Sequence, residues 1–279
     1  MGTLVNLNSL WIGDALHPIH QMCLLSAMAQ GHSVRLFSYG PVKQVPAGVD
    51  VVSAEEVMPR SQMFFHGRTG SPAPFADRFR IKLIELGFGA WTDTDMLFVR
   101  PLPAMSKNIF GWENDKLVGN AVMAFDPDHP AFHMLRDTLS DDHFIPSWFR
   151  LPGRMYYAAM KKFGAPRHVK DMPYGTTGPD LLTWCITQHG LLGEVAPKDV
   201  FYPLPYGQKF EIFKAHAQWR SLQDFPTSTV AIHLWFQGLL GGLQVNREAS
   251  TKIPDVETGS LLHAVARDLG VRASMLAGT

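Results

Sequence analysis

Apolar and polar positions alternate at the start of the chain, then switch to a helical period, then alternate again. Residues 7–12 predict a strand, residues 18–30 a helix stopped by Gly31, and residues 34–39 a second strand closed by the Gly40-Pro41 turn. A short third strand is expected over 49–52 and a brief helical piece over 54–58. Residues 66–74 read as loop. The stretch 75–86 then carries Phe75, Phe79, Leu83 and Leu86 on one helical face. Residues 90–92 form a strand that ends at Asp93-Thr-Asp95, with a further apolar run behind it. A strand over 117–125 is interrupted by Gly119-Asn120, helices are expected over 129–139 and 178–188, and a late strand over 230–235 contains His233. The segment 144–177, rich in Pro, Gly, Arg and aromatic residues, reads as an irregular excursion shaping a cleft. Strand–helix–strand alternation implies an α/β fold built on a parallel sheet.

Two acids at the end of an apolar strand demand a use, because an unpaired buried carboxylate is costly. A divalent cation compensates them most simply, and hard oxygen ligands suit Mn²⁺ or Mg²⁺. In open α/β sheets ligands collect at the carboxyl ends of strands, which is where Asp93 and Asp95 fall. Asp77 and Arg80 share a helical face just upstream. They read either as a surface ion pair or as the wall of a nucleotide site. Trp11 and Trp91 end strands, so each is either core or an aromatic plate for a base.

Composition narrows the classes. With 279 residues, 25 basic and 25 acidic, the net charge is +0, which argues against general nucleic-acid binding. Length suggests one elaborated domain. Cys23 and Cys185 both lie in apolar helical patterns, and free buried thiols are expected. No signal peptide or apolar run of ~20 residues is visible, so a cytoplasmic location is expected. Residues 259–276 are weakly amphipathic; packing on the domain is the expected role, although such a tail could also touch a membrane peripherally.

Asp77-x-x-Arg80, then Trp91-x-Asp93-x-Asp95, resembles the donor site of sugar-nucleotide glycosyltransferases of the GT-A fold. The nearest likeness is to the family with a DXD sugar-binding region, which includes α-1,4-galactosyltransferase-like enzymes, initiating mannosyltransferases and the large clostridial glucosylating toxins. Trp11-Ile-Gly13, Gly31-His32, Gly119-Asn-Ala-Val122, Thr177-Gly-Pro-Asp180 and His233-Leu-Trp235 extend it across most of residues 8–236.

The resemblance implies a Rossmann-like mixed sheet flanked by helices, with a nucleotide-binding part over about residues 1–125, an acceptor-side part over about 126–240 and a tail over about 241–279. It implies a retaining, metal-dependent transfer of a hexose (galactose, glucose or an N-acetyl form) from a UDP-sugar to a glycan, glycolipid or other hydroxyl acceptor. Trp11 would stack on uracil, Asp77 and Arg80 would hold nucleotide and sugar, and Asp93 would contact ribose and metal shell. Asp95 would ligate the metal, with His233 completing its ligands or approaching the diphosphate. Trp91 stands where many relatives have tyrosine, and the approach to the acids is Gly87-Phe-Gly-Ala rather than paired glycines.

Several residues carry competing readings. Asp180 either recognises sugar or closes a capping box with Thr177 as N-cap. Asn120 either faces the active site or satisfies a bulged strand. His17 and His20 form either a metal pair or, as preferred, solvent-exposed histidines at a helix start. Two rival functions use the same acids: a non-catalytic sugar-binding protein, and a phosphatase of the haloacid dehalogenase type with the first Asp as nucleophile.

Overall fold

The structure, a computed structural model, describes residues 4–104, 107–236 and 254–271. Strands β1 (Leu7–Trp11), β2 (Val34–Ser38), β3 (Asp50–Ser53) and β4 (Ala90–Thr92) are mutually parallel. Strands β5 (Met96–Phe98), β6 (Ile109–Trp112) and β7 (Val118–Ala124) follow. The main sheet has the order β3-β2-β1-β4-β7-β6, with β7 antiparallel to both β4 and β6. A second, two-stranded sheet pairs β5 with β8 (Ala231–His233), antiparallel. This is the expected α/β fold with a mixed sheet and flanking helices.

Helix α1 (Pro18–Ala29) connects β1 to β2. His17 caps it by accepting a hydrogen bond at Nδ1 from the Ile19 N–H, and proline occupies the first helical position, where no N–H is needed. The helix stops because Gly31 adopts a φ of +88°, the left-handed conformation that closes a helical C-terminus. Helix α2 (Ala73–Glu85) lays Phe75, Phe79 and Leu83 against Trp91, as the period requires. Leu86 lies beyond its last turn and is exposed, so the apolar face is one residue shorter than expected. Helices α3 (Pro130–Ser140) and α5 (Leu181–Gln188) bury Leu135, Leu139, Leu182 and Ile186 in the same cluster.

Three features depart from the sequence reading. The segment expected to be irregular contains α4 (Leu151–Lys162), a twelve-residue helix whose only buried side chain is Tyr157. Without an apolar core-facing stripe it left no periodic signal. Strands β5 and β6, three and four residues long, are too short to show alternation. Finally, Gly119-Asn120 does not interrupt β7. The strand is continuous, and its pairing with β6 slips at a bulge between Ile109 and Gly111.

Helix α6 (Lys198–Phe201) ends at Tyr202, whose ring lies on Gly119 and whose hydroxyl accepts a hydrogen bond from the Ala121 N–H at 3.0 Å. Near the end of the described chain, α7 (Leu261–Asp268) buries Leu261, Leu262, Val265 and Ala266 among Ile19, Leu97 and Ile232. The described part of the tail therefore packs on the body of the fold, while 272–276 lie outside the described residues. No described helix is long and apolar enough to cross a membrane. Cys23 and Cys185 are buried free thiols, as expected.

Gly119 is required by close approach. A Cβ there would lie 2.2 Å from the Tyr202 hydroxyl oxygen and 2.3 Å from the ring carbon that bears it. Gly119→Ala is expected to destabilise the protein by about 1–3 kcal/mol, the usual cost of overpacking. Urea unfolding measures it, and an unchanged midpoint would show that Tyr202 is not fixed against β7.

Candidate active site

The strand order reverses at β1. From β1 the chain proceeds to β2 on one side and later returns as β4 on the other, the topological switch point where open α/β sheets bind ligands. Strands β1 and β4 pair only at Leu7–Ala90 and Asn8–Trp91. Beyond that register the Ser9 hydroxyl donates to the Thr92 carbonyl at 2.6 Å. Trp11 ends one strand and Asp93 follows the other, so both stand at the carboxyl edge.

Asp93 is anchored through its backbone, whose N–H donates to the Ala121 carbonyl at 2.7 Å. Its side chain, still about a quarter exposed, accepts from the Trp91 indole N–H at 2.6 Å and lies 3.4 Å from the Arg80 guanidinium. Asp95 enters β5 and is held by the opposite end of the chain. Because β5 and β8 are antiparallel with Met96 opposite His233, Asp95 meets the residues beyond β8. The Leu234 N–H donates to the Asp95 carbonyl at 3.0 Å, and the Phe236 N–H to its carboxylate at 2.8 Å. His233 Nε2 lies 3.4 Å from the same carboxylate oxygen.

Ligand atoms of Asp93, Asp95 and His233 all fall within 4.8 Å of one another. Two carboxylates and an imidazole suit Mn²⁺ or Mg²⁺. Burial raises the pKa of Asp93, with Arg80 opposing and the charge of Asp95 reinforcing the shift. Burial would raise Asp95 as well, but His233, His20 and the Phe236 N–H hold it well below the usual carboxylate range. Burial would lower His233, and its carboxylate neighbours, Asp95 first, raise it instead. The surroundings also carry unsatisfied polarity. His233 Nδ1 and Trp11 Nε1 are buried without a hydrogen-bond partner among the described residues. Such orphaned groups in one place are the mark of a site that receives an ion, water or ligand.

A second layer lies behind Asp93. Asp77 and Arg80 are only 7% and 5% exposed, so they are not the surface ion pair that their spacing allowed. Arg80 is 3.3 Å from Asp77, donates to the Asn120 carbonyl, and places its guanidinium carbon 4.8 Å from the Trp91 ring centroid. The two Asp77 oxygens accept from Asn120 Nδ2 at 2.9 Å and from the Thr177 hydroxyl at 2.7 Å. Gly178 closes over this network, where a Cβ would come within 2.9 Å of Asn120 and 3.1 Å of Asp77.

The sequence-derived candidates thus divide. Asp93, Asp95 and His233 converge, with Trp11 at the same edge. Trp91 is 2% exposed and packs in the core, so it offers no plate for a base; its indole N–H is committed to the Asp93 carboxylate. Asn120 turns its amide onto Asp77. The capping box proposed for Thr177 and Asp180 does not form, because the Thr177 hydroxyl goes to Asp77 and Asp180 makes no side-chain cap. The half-buried Asp180 carboxylate has no hydrogen bond from the described residues, and burial raises its pKa.

His17 caps α1, but His20 is 4% exposed rather than solvent-facing. It lies between Trp11 and Phe236, with ring centroids at 4.7 and 4.2 Å, and burial lowers its pKa to about 4. Sequence reasoning missed two participants. Glu113, at the end of β6, has its pKa raised by burial and feels the charges of His233 and Asp180. Tyr202 packs against His233 with centroids 5.7 Å apart. Neither lies in a motif: Glu113 follows β6, and Tyr202, after α6, is brought near by its packing on Gly119 of β7.

No protein-family model matches the sequence. No curated protein matches it either. Among solved structures the chain is similar to the PaToxG glycosyltransferase, at 13% identity and a TM-score of 0.39, over 68% of this chain and 71% of that one. So distant a likeness leaves function to the site's own geometry.

Thr177 and Asp180 are separable by stability. Thr177→Val removes a hydrogen bond to a buried carboxylate and is expected to cost about 1.5–3 kcal/mol. Asp180→Ala, which breaks no bond, should stay within about 0.5 kcal/mol. Chemical denaturation of both variants decides, and the reverse order would restore Asp180 as the cap.

Proposed function

We propose that this chain is a metal-dependent glycosyltransferase that moves a hexose from a UDP-sugar to a hydroxyl acceptor on a glycan or glycolipid, with retention of anomeric configuration. The observation that carries the reading is the convergence of Asp93, Asp95 and His233 at the switch point of the sheet. The Asp-x-Asp sequence with its upstream Asp77-x-x-Arg80 supplies the resemblance to glycosyltransferases, and the fold supplies a site at the edge where a nucleotide is expected.

In this reading Asp95 and His233 would hold Mn²⁺ or Mg²⁺ directly, and Asp93 would contact the ribose and the shell of the ion. A bound ion would supply Lewis-acid neutralisation of the charge that grows on the departing diphosphate. Arg80 fixes the Asp93 carboxylate from behind, and Trp91 holds one of its oxygens, so the remaining oxygen is free to face the ligand. Asp77 and Asn120, tied to each other and to Thr177, hold the wall on which the donor rests. Trp11, at the end of β1 and against the neutral His20 ring, is the aromatic plate for the base. Asp180, whose carboxylate has no donor among the described residues, would stabilise oxocarbenium character at the anomeric carbon.

Asp95→Asn should remove Mn²⁺-dependent UDP binding and turnover while leaving the protein folded. Calorimetry with UDP, with and without Mn²⁺, measures the first. UDP release from a panel of UDP-galactose, UDP-glucose and their N-acetyl forms measures the second. Full activity in excess chelator, or in a folded Asp95→Asn variant, would overturn the metal-dependent mechanism.

A further inference from the structure

The most exposed apolar side chains of the described fold gather on α4, away from the residues used above. Leu151 is 66% exposed, Met155 63% and Phe163 80%, while Tyr157 alone is buried. At 100° per residue Leu151, Met155 and Ala159 form one outward stripe that Phe163 continues past the last turn. Soluble proteins rarely concentrate large apolar groups in this way without a binding role.

The charge around the stripe is one-sided. From residue 143 to residue 170 the chain carries Arg150, Arg154, Lys161, Lys162, Arg167 and Lys170 and no Asp or Glu, although the whole protein is neutral. Lys161 pairs with Asp141, and Arg167 donates to the Tyr156 hydroxyl. Arg150, Arg154 and Lys162 have no ion pair among the described residues and are exposed. On the helical wheel Arg154 and Lys161 lie along one side of the apolar arc, and Lys162 lies within it. Exposed apolar side chains with the unpaired cations Arg150, Arg154 and Lys162 beside and among them suit a helix that lies against an anionic membrane interface.

We propose that α4 docks this protein onto an anionic lipid bilayer, with Leu151, Met155 and Phe163 entering the headgroup layer and Arg150, Arg154 and Lys162 meeting lipid phosphates and carboxylates. A second copy of the chain is disfavoured because the same cations would face one another across the contact.

The test is sedimentation of the full chain with phosphatidylcholine vesicles and with vesicles that also contain phosphatidylserine. Binding is expected only to the anionic vesicles, and should weaken as salt rises. Met155→Asp combined with Phe163→Asp should reduce it by at least about tenfold, as should joint reversal of Arg150, Arg154 and Lys162 to Glu. All these residues are exposed, so melting temperature and Mn²⁺–UDP binding should not change. No sedimentation of the unaltered chain, or equal sedimentation of the variants, would overturn the proposal. So would light scattering that shows a dimer dispersed by Met155→Asp/Phe163→Asp, since the stripe would then join two copies.

Discussion

One buried cation organises this molecule. The Arg80 guanidinium reaches Asp77, Asp93 and the Asn120 carbonyl at once and stacks over the Trp91 ring. It thereby ties α2 to the end of β4 and to the bulge of β7. A planar fork with several donors can satisfy such divergent acceptors, whereas a lysine ammonium presents a single point of charge. Two carboxylates this close need a positive charge between them, because burying either alone is costly. The Asp93 side of the edge takes its position from this arrangement, while Asp95 and His233 are set by the β5–β8 pairing. Asp93 cannot swing inward, Asn120 is committed to Asp77, and Thr177 locks the turn before α5.

The parallel half of the fold was readable because each strand and helix there spends most of its length on a buried face. Residues 18–30 and 75–86 carry a helical period bounded by proline and glycine, and their observed limits differ by one or two residues. Of the three residues that converge, Asp93 and Asp95 were legible at the end of an apolar run, whereas His233, inside a late strand, was singled out only through the family resemblance. What stayed hidden depends on tertiary pairing. Helix α4 buries one side chain, so no periodicity announced it. Strands β5 and β6 exist because β8 and β7 pair with them. Thr177 looked like an N-cap by local pattern, and a carboxylate a hundred residues away took its hydroxyl instead. Trp91 shows the same limit: a strand-end aromatic reads alike whether its ring faces solvent or lies in the core.

Burial divides the chemistry of the edge into fixed and available groups. Asp77, Arg80 and Trp91 are spent on one another, so they confer rigidity rather than reactivity. Among the described residues Asp180 and His233 Nδ1 have polar atoms that receive or make no hydrogen bond. Such a division suits a site that must hold a charged ligand in one orientation, because the groups that meet it need not reorganise when it arrives.

The pairing of β5 with β8 also has a consequence for how the molecule assembles. Asp95 accepts from the Phe236 N–H across a sequence separation of 141 residues. The chain must therefore close this long loop before the acids and the histidine can meet, a step that contributes no local contacts while it is being made. Early folding of the parallel strands would give Asp93 its Arg80 partner but leave Asp95 without His233 and the Phe236 N–H at an open edge. An ion held by both ends would act as a clasp on that loop, and its binding energy would become folding energy. Metal occupancy would then report that the two ends of the fold have come together.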